Sequence, residues 1–160
     1  MPPSADSPVP APPAVAVPSD PRIASLYQEI ILSHYRAPQH KGALTAPTST
    51  VEHRNPLCGD VLTIQLHRDG TRIVDAAFSA RACSITQATA SMLLGRVIGG
   101  SVADAAALIA RVEAMIEGAA EELEPETLGD LRALASVTRF PARKACVRLV
   151  TGAIAHAISA

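Results

Sequence analysis

Residues 61–67 and 72–79 each read as extended chain with period-two alternation, and Asp69-Gly70 stands between them. Alternation puts successive side chains on opposite faces of a strand, and Asp-Gly between two such runs is a strong hairpin signal. In the first run Leu62, Ile64 and Leu66 share one face against Val61, Thr63 and Gln65; in the second, Val74, Ala76 and Phe78 oppose Ile73, Asp75 and Ala77. A shorter run at 48–51 supplies a third strand. The pattern predicts a small antiparallel sheet of about three strands, whose apolar face needs a cover from elsewhere in the chain.

Helical patterns before and after the strands supply that cover. Ser19-Asp20-Pro21 reads as a cap and an early-turn proline ahead of Ile23, Leu26, Tyr27 and Ile30, and this helix must stop before Ala37-Pro38. After Cys83, Ser84 can cap a run in which Ile85, Ala88, Met92 and Val97 recur at helical spacing until Gly99-Gly100. Ser101 with Asp104 opens another helix, with Leu108, Val112, Met115 and Ile116 on its inner side and Gly118 near its end. The acidic stretch 121–126 reads as a solvated connection and 128–134 as a short helix. Phe140-Pro141 breaks the chain, and a last helix from about Ala142 carries Cys146, Leu149, Val150, Ile154 and Ile158. Strands grouped together and followed by helices make this an α+β chain.

The organisation is that of one domain over 21–160 behind a tail over 1–20, because seven of the thirteen prolines fall in that tail, spaced by Ala, Ser and Val. Such a composition favours extended conformers and closes no core. Fourteen Lys and Arg against fifteen Asp and Glu, with 2% aromatics and no Trp, offer neither bulk positive charge nor stacking platforms, which argues against nucleic acid. No run approaches the roughly 18 apolar residues of a membrane span, and the N-terminus lacks the basic and apolar regions of a secretory signal. The expected setting is cytoplasmic, with no membrane partner. In that reducing setting, three cysteines are metal ligands, nucleophiles or small core residues rather than crosslinks.

Cys58 sits in Asn55-Pro56-Leu57-Cys58-Gly59-Asp60, directly before a predicted strand. Pro stiffens the approach, Gly permits a tight bend, and Cys58 and Asp60 can aim a soft and a hard donor at one ion. Cys83 lies between a strand end and a helix start, where unpaired backbone donors favour a thiolate. Cys146 is inside the last helix, with Arg143 three positions earlier on the same face and Lys144 facing elsewhere. Three thiols and one carboxylate make four donors, as tetrahedral zinc requires, but their spacing matches no zinc-finger pattern, so spacing leaves a metal site and plain core cysteines both open. His34, His40, His53, His67 and His156 share no short motif with a cysteine; His67 and His156 read as surface or half-buried, and His34 and His40 flank a polar turn.

Taken together, Leu26-Tyr27, Ser33-His34-Tyr35-Arg36-Ala37-Pro38 with Lys41-Gly42, the Asn55–Asp60 hexapeptide, Ala82-Cys83-Ser84-Ile85 with Ala90-Ser91-Met92, and Leu128-Gly129-Asp130-Leu131 leading to Phe140-Pro141-Ala142-Arg143 and Cys146 form an ordered series. In that series the chain resembles the SufU branch of the IscU/NifU-like iron–sulfur cluster assembly proteins. The longer segment between Cys83 and Cys146, and the lack of a His directly before Cys146, favour that branch over the scaffold branch. Ala80 and Ala82 stand where the family usually has glycine, and Ala145 stands where it commonly has lysine.

The resemblance implies a SufE/NifU-like fold and a zinc ion held by Cys58, Asp60, Cys83 and Cys146. It further implies a sulfurtransferase that takes persulfide sulfur from a SufS-type cysteine desulfurase and relays it to the assembly machinery, such as a SufBCD-type scaffold complex. Cys58, on the loop expected to be most exposed, would be the acceptor, and Arg143 would stabilise the freed sulfur or the persulfide anion. The alternative implied by the same family is a non-enzymatic scaffold assembling a [2Fe-2S] cluster on these donors.

Overall fold

The computed structural model describes residues 20–118 and 128–160. The predicted tail, apart from Asp20, and the predicted acidic connection at 121–126 lie outside the described residues. Helix α1 (Pro21–Arg36) starts where Asp20 accepts a hydrogen bond from the Arg22 amide and Pro21 takes a first-turn position, and it ends at Ala37, before Pro38. Its packing face is rotated from the expected one. Ile31 is buried and Tyr27 and Ile30 lie partly buried against the core, whereas Ile23 and Leu26 are exposed. Helix α1 packs on later helices rather than on the sheet, and its first turns run out along the rim of an open cavity.

Strands β1 (Ser49–Arg54), β2 (Val61–Asp69) and β3 (Arg72–Arg81) form one antiparallel sheet in the order β1-β2-β3. Central β2 follows its predicted alternation, with Leu62, Ile64 and Leu66 fully buried. The hairpin closes through Gly70, held at φ +63°, because Asp69 already pairs with Arg72. Strand β3 departs from strict alternation. His67 pairs with Asp75 and Arg68 with Ile73, so Val74 is an extra, exposed residue. This bulge moves Ile73 onto the face of Ala76 and Phe78, and all three are buried; without it Ile73 would point to water.

Helix α2 (Ser84–Val97) is buried on nearly every side from Thr86 to Leu94, including Thr86, Gln87, Thr89 and Ser91. Small and hydroxylated side chains make this possible: Thr89 bonds the Ile85 carbonyl, and Ser91 accepts from the Gln39 amide and meets His34 Nδ1 at 2.8 Å. The expected Ser84 cap is corrected. Cys83, with φ −68° and ψ 170°, is the cap residue and Ser84 is the first helical residue, so the thiol stands at the helix entrance.

Helix α3 (Val102–Ile116) begins with the predicted Ser101/Asp104 capping box. The segment expected as a short helix over 128–134 is a 3-10 helix, Gly129–Val137. Helix α4 (Pro141–Ser159) lies across β1 and β2, with Val147, Val150, Ala153, Ile154 and Ala157 buried, and it also packs on α2. The core therefore lies between the inner sheet face and α2, α3, α4 and the 3-10 helix. The β1–β2 loop, the start of α2 and the first turns of α4 meet at one end of it.

Candidate metal centre

The β1–β2 loop is tied before any ligand reaches it. The Asn55 amide donates to the Asp60 carbonyl at 2.9 Å, the Gly59 amide to the Asn55 carbonyl at 2.8 Å, and the Leu57 amide to Asn55 Oδ1 at 3.0 Å. Gly59 sits at φ +76°, a conformation that L side chains rarely adopt, so the glycine after Cys58 is required by the turn itself. This loop offers Cys58 to solvent, beside a Leu57 that is 93% exposed, and turns Asp60 inward, where it is 6% exposed.

Of the three thiols and the carboxylate, scattered over 89 positions of sequence from 58 to 146, Cys58, Asp60 and Cys146 share one mutual neighbourhood and Cys83 stands at its edge, outside that group. Donor atoms of Cys58, Asp60 and Cys146 all lie within 4.8 Å of one another. Cys83 joins them through Cys146, its sulfur 3.3 Å from the Cys146 sulfur, and Cys146 Sγ stands 3.9 Å from Asp60 Oδ2. Sulfurs at 2.3 Å from a tetrahedral zinc stand roughly 3.8 Å apart, and the Cys83–Cys146 and Cys146–Asp60 contacts, at 3.3 Å and 3.9 Å, lie near that length. Two donors, Asp60 and Cys146, are buried, while Cys58 and Cys83 face solvent.

Electrostatics argue for a cation. Burial first, then the hydrogen bond with Cys83 and the charges of Cys83 and Asp60, together push the Cys146 thiol from its ordinary 9.0 up to about 12, with Thr86 working the other way. The Arg143 guanidinium rests 4.6 Å from the centre of the Phe140 ring, and without a counter-ion Cys146 stays protonated. A cation beside Cys146 would offset that rise, and zinc or iron, which bind thiolates, fit the demand.

Thr86 was missed in the sequence. It is fully buried in the first turn of α2, donates its hydroxyl to Asp60 Oδ2 at 3.0 Å and lies 3.5 Å from Cys83 Sγ. A threonine three residues after a cysteine carries no ligand signal by itself; only the fold puts it under a carboxylate 26 positions earlier. Next to the cluster, a cavity of about 500 Å³ runs from Ser84 and Ile85 past Ser136, Phe140 and Arg143 to Gln28 and Ile31 of α1. Lys144 turns away to an ion pair with Glu117. The histidines take no part: His34 bridges Ser91 and Asp130, and His53 Nε2 meets His156 Nδ1 at 3.1 Å across β1 and α4.

Residues 26–147 match the model of the NifU-like N-terminal domain. The chain belongs to that family. Its relatives include the iron–sulfur cluster assembly scaffold protein IscU of Streptococcus pyogenes serotype M1, 34% identical over 86% of this chain and 85% of the relative. They also include the zinc-dependent sulfurtransferase SufU of Bacillus subtilis, 35% identical over 78% of this chain and 84% of the relative. Among solved structures, a candidate iron–sulfur cluster assembly scaffold protein for the SUF system from Fervidobacterium islandicum AW-1 superposes with a TM-score of 0.76 at 25% identity, covering 87% of this chain and 99% of that one. The NifU-like domain here thus has the α+β architecture, with its three-stranded antiparallel sheet, that the sequence pattern predicted. No helix among the described residues is long and apolar enough to cross a membrane.

Proposed function

We propose that this NifU-like domain works in iron–sulfur cluster assembly as a zinc-dependent sulfurtransferase. It accepts persulfide sulfur from a SufS-type cysteine desulfurase and passes it to the assembly machinery, such as a SufBCD-type complex. The observation that carries this reading is the asymmetry of the donor cluster: Asp60 and Cys146 are buried, while Cys58 stands exposed on a loop tied shut by its own hydrogen bonds. The relation to a zinc-dependent sulfurtransferase over most of both chains supports it.

Cys58, Asp60, Cys83 and Cys146 would hold the zinc, which when bound supplies the positive charge that keeps thiols in the thiolate form. The chemistry then belongs to Cys58. Its thiolate attacks the terminal sulfur of the partner's persulfide; a new S–S bond forms at Cys58, the partner's S–S bond breaks, and the partner cysteine leaves as a thiolate while the terminal S–H moves with the transferred sulfur. No external oxidant or reductant is consumed. Arg143, exposed on the cavity wall beside the cluster, is the cation available to the new persulfide anion once that persulfide loses its proton.

The test is zinc content together with desulfurase turnover for the wild type and Cys58→Ala. The relay expects zinc in the wild type, strong stimulation of turnover by it, and a folded Cys58→Ala that stimulates little. Equal stimulation by both removes Cys58 from the acceptor role. A second reading, a scaffold that assembles a [2Fe-2S] cluster on the same four residues, is favoured by the relative from Streptococcus pyogenes. Anaerobic reconstitution separates the two: a stable brown chromophore with stoichiometric iron and little zinc supports the scaffold.

A further inference from the structure

Of the groups around the cluster, Thr86 touches both Asp60 and Cys83 and is itself no ligand. Thr86 is 0% exposed. Its hydroxyl donates to Asp60 Oδ2 at 3.0 Å, and the same oxygen receives a longer 3.4 Å bond from the Cys83 amide. Among the described residues, the side-chain hydrogen bonds to this carboxylate all fall on Oδ2, which leaves Oδ1 for a cation. The Thr86 oxygen also lies 3.5 Å from Cys83 Sγ. A single buried hydroxyl therefore links the β1–β2 loop to the entrance of α2, the two segments that carry Asp60 and Cys83.

We infer that Thr86 is a positioning residue of the metal centre, fixing the Asp60 carboxylate so that it stays the fourth donor. The inference rests on the reading above that Cys58, Asp60, Cys83 and Cys146 bind zinc, and it adds a residue which that reading does not use. Hydrogen bonds that a carboxylate ligand accepts from its neighbours fix its orientation, and their loss typically weakens metal binding about 10- to 100-fold. Packing alone does not explain the choice of residue. A valine would fill the same volume, but it would leave the buried Asp60 carboxylate with only the long contacts from the Cys83 amide and the Cys146 thiol, and a buried acceptor stripped of its best donor is costly.

The role has two expected consequences. Thr86→Val holds zinc about 10- to 100-fold more weakly than the wild type, measured by competition with a chromophoric chelator, whereas Thr86→Ser stays close to the wild type because it keeps the hydroxyl. Cobalt(II) substitution gives a readout independent of activity: the visible ligand-field bands of tetrahedral cobalt shift and weaken in Thr86→Val and are restored in Thr86→Ser. Should Thr86→Val fold poorly, the same question is answered in an Asp60→Ala background, where Thr86→Ser and Thr86→Val are expected to bind cobalt equally. Wild-type zinc affinity and an unchanged cobalt spectrum in Thr86→Val overturn the inference; so does a Thr86→Ser as weak as Thr86→Val, or a difference between the two that persists without Asp60. A wild-type protein that binds neither ion instead overturns the underlying metal-centre reading.

Discussion

Deleting Val74 should unseat one end of the β-sheet, and the size of the effect follows from the bulge. With Val74 gone, the pairings of Arg68 with Ile73 and of His67 with Asp75 become a strict ladder, and one side of the deletion must turn its side chains over. Turning the longer side would expose Ala76 and Phe78 and break the two bonds that Phe78 makes with His40 and Gly42. Ile73 is therefore the end that gives way. Exposing a fully buried isoleucine costs about 1.5–3 kcal/mol. Ile73 also donates its amide to the Gly100 carbonyl and accepts from the Gly99 amide, both at 2.8 Å, and losing these adds roughly 1 kcal/mol each. The sum is about 4 kcal/mol, a large part of the roughly 5–15 kcal/mol of a typical domain. With a urea dependence of about 1.5 kcal/mol per molar, the unfolding midpoint falls by about 2–3 M. Val74→Ser, at a position 45% exposed, is the control and should stay within about 0.5 kcal/mol of the wild type. Urea unfolding followed by circular dichroism measures both. A deletion variant with the midpoint of the wild type refutes the reasoning, because it would mean that the extra residue does not set the facing of Ile73.

Three further outcomes are expected. Ser101→Ala removes half of the capping box on α3 and should cost about 1 kcal/mol, lowering the thermal midpoint by a few degrees; an unchanged midpoint counts against the box. Zinc-free, reduced protein should lose stability as pH rises from 9.0 towards about 12, since the Cys146 thiol is raised in the fold and a raised group contributes fully below its unfolded value and loses that contribution above it; Cys146→Ala should flatten this limb of a urea-midpoint titration. His53 is lowered by burial and then by the His156 charge, so its contribution is present above the usual 6.5 and lost as pH falls; His53→Gln should lessen the loss of stability between pH 7.5 and 5, and a titration identical to wild type would show that the pair does not couple to folding.

Much of the architecture was legible because it is written locally. Alternation around Asp69-Gly70 gave the hairpin, Ser101 and Asp104 gave the start of α3, and Pro38 gave the end of α1. The bulge was not legible, since one extra residue in β3 looks the same in sequence as one residue of alternation out of phase; only the Ile73 bonds to Gly99 and Gly100 make the register unique. The face of α1 was misread for a related reason: Ile23 and Leu26 share a helical stripe with Tyr27 and Ile30, but the elements that α1 meets cover only its later turns. At the candidate centre, Cys58, Asp60, Cys83 and Cys146 could be named from residue type and family resemblance. Their burial could not, and burial is what divides two inner donors from two outer ones and pushes Cys146 up. Thr86 was out of reach altogether, because its importance lies in one long-range contact.

The internal ties of the Asn55–Asp60 turn carry a consequence for how fast an encounter can be productive. A floppy acceptor arm would have to be frozen each time a donor protein arrived, at roughly 1–2 kcal/mol for every residue whose backbone is ordered. Here that ordering is already complete in the unbound molecule, held by contacts internal to the turn. In the proposed relay, collisions would need only to bring the two sulfurs into line, and the affinity of the visiting protein could stay low enough for it to depart as soon as the atom had changed hands.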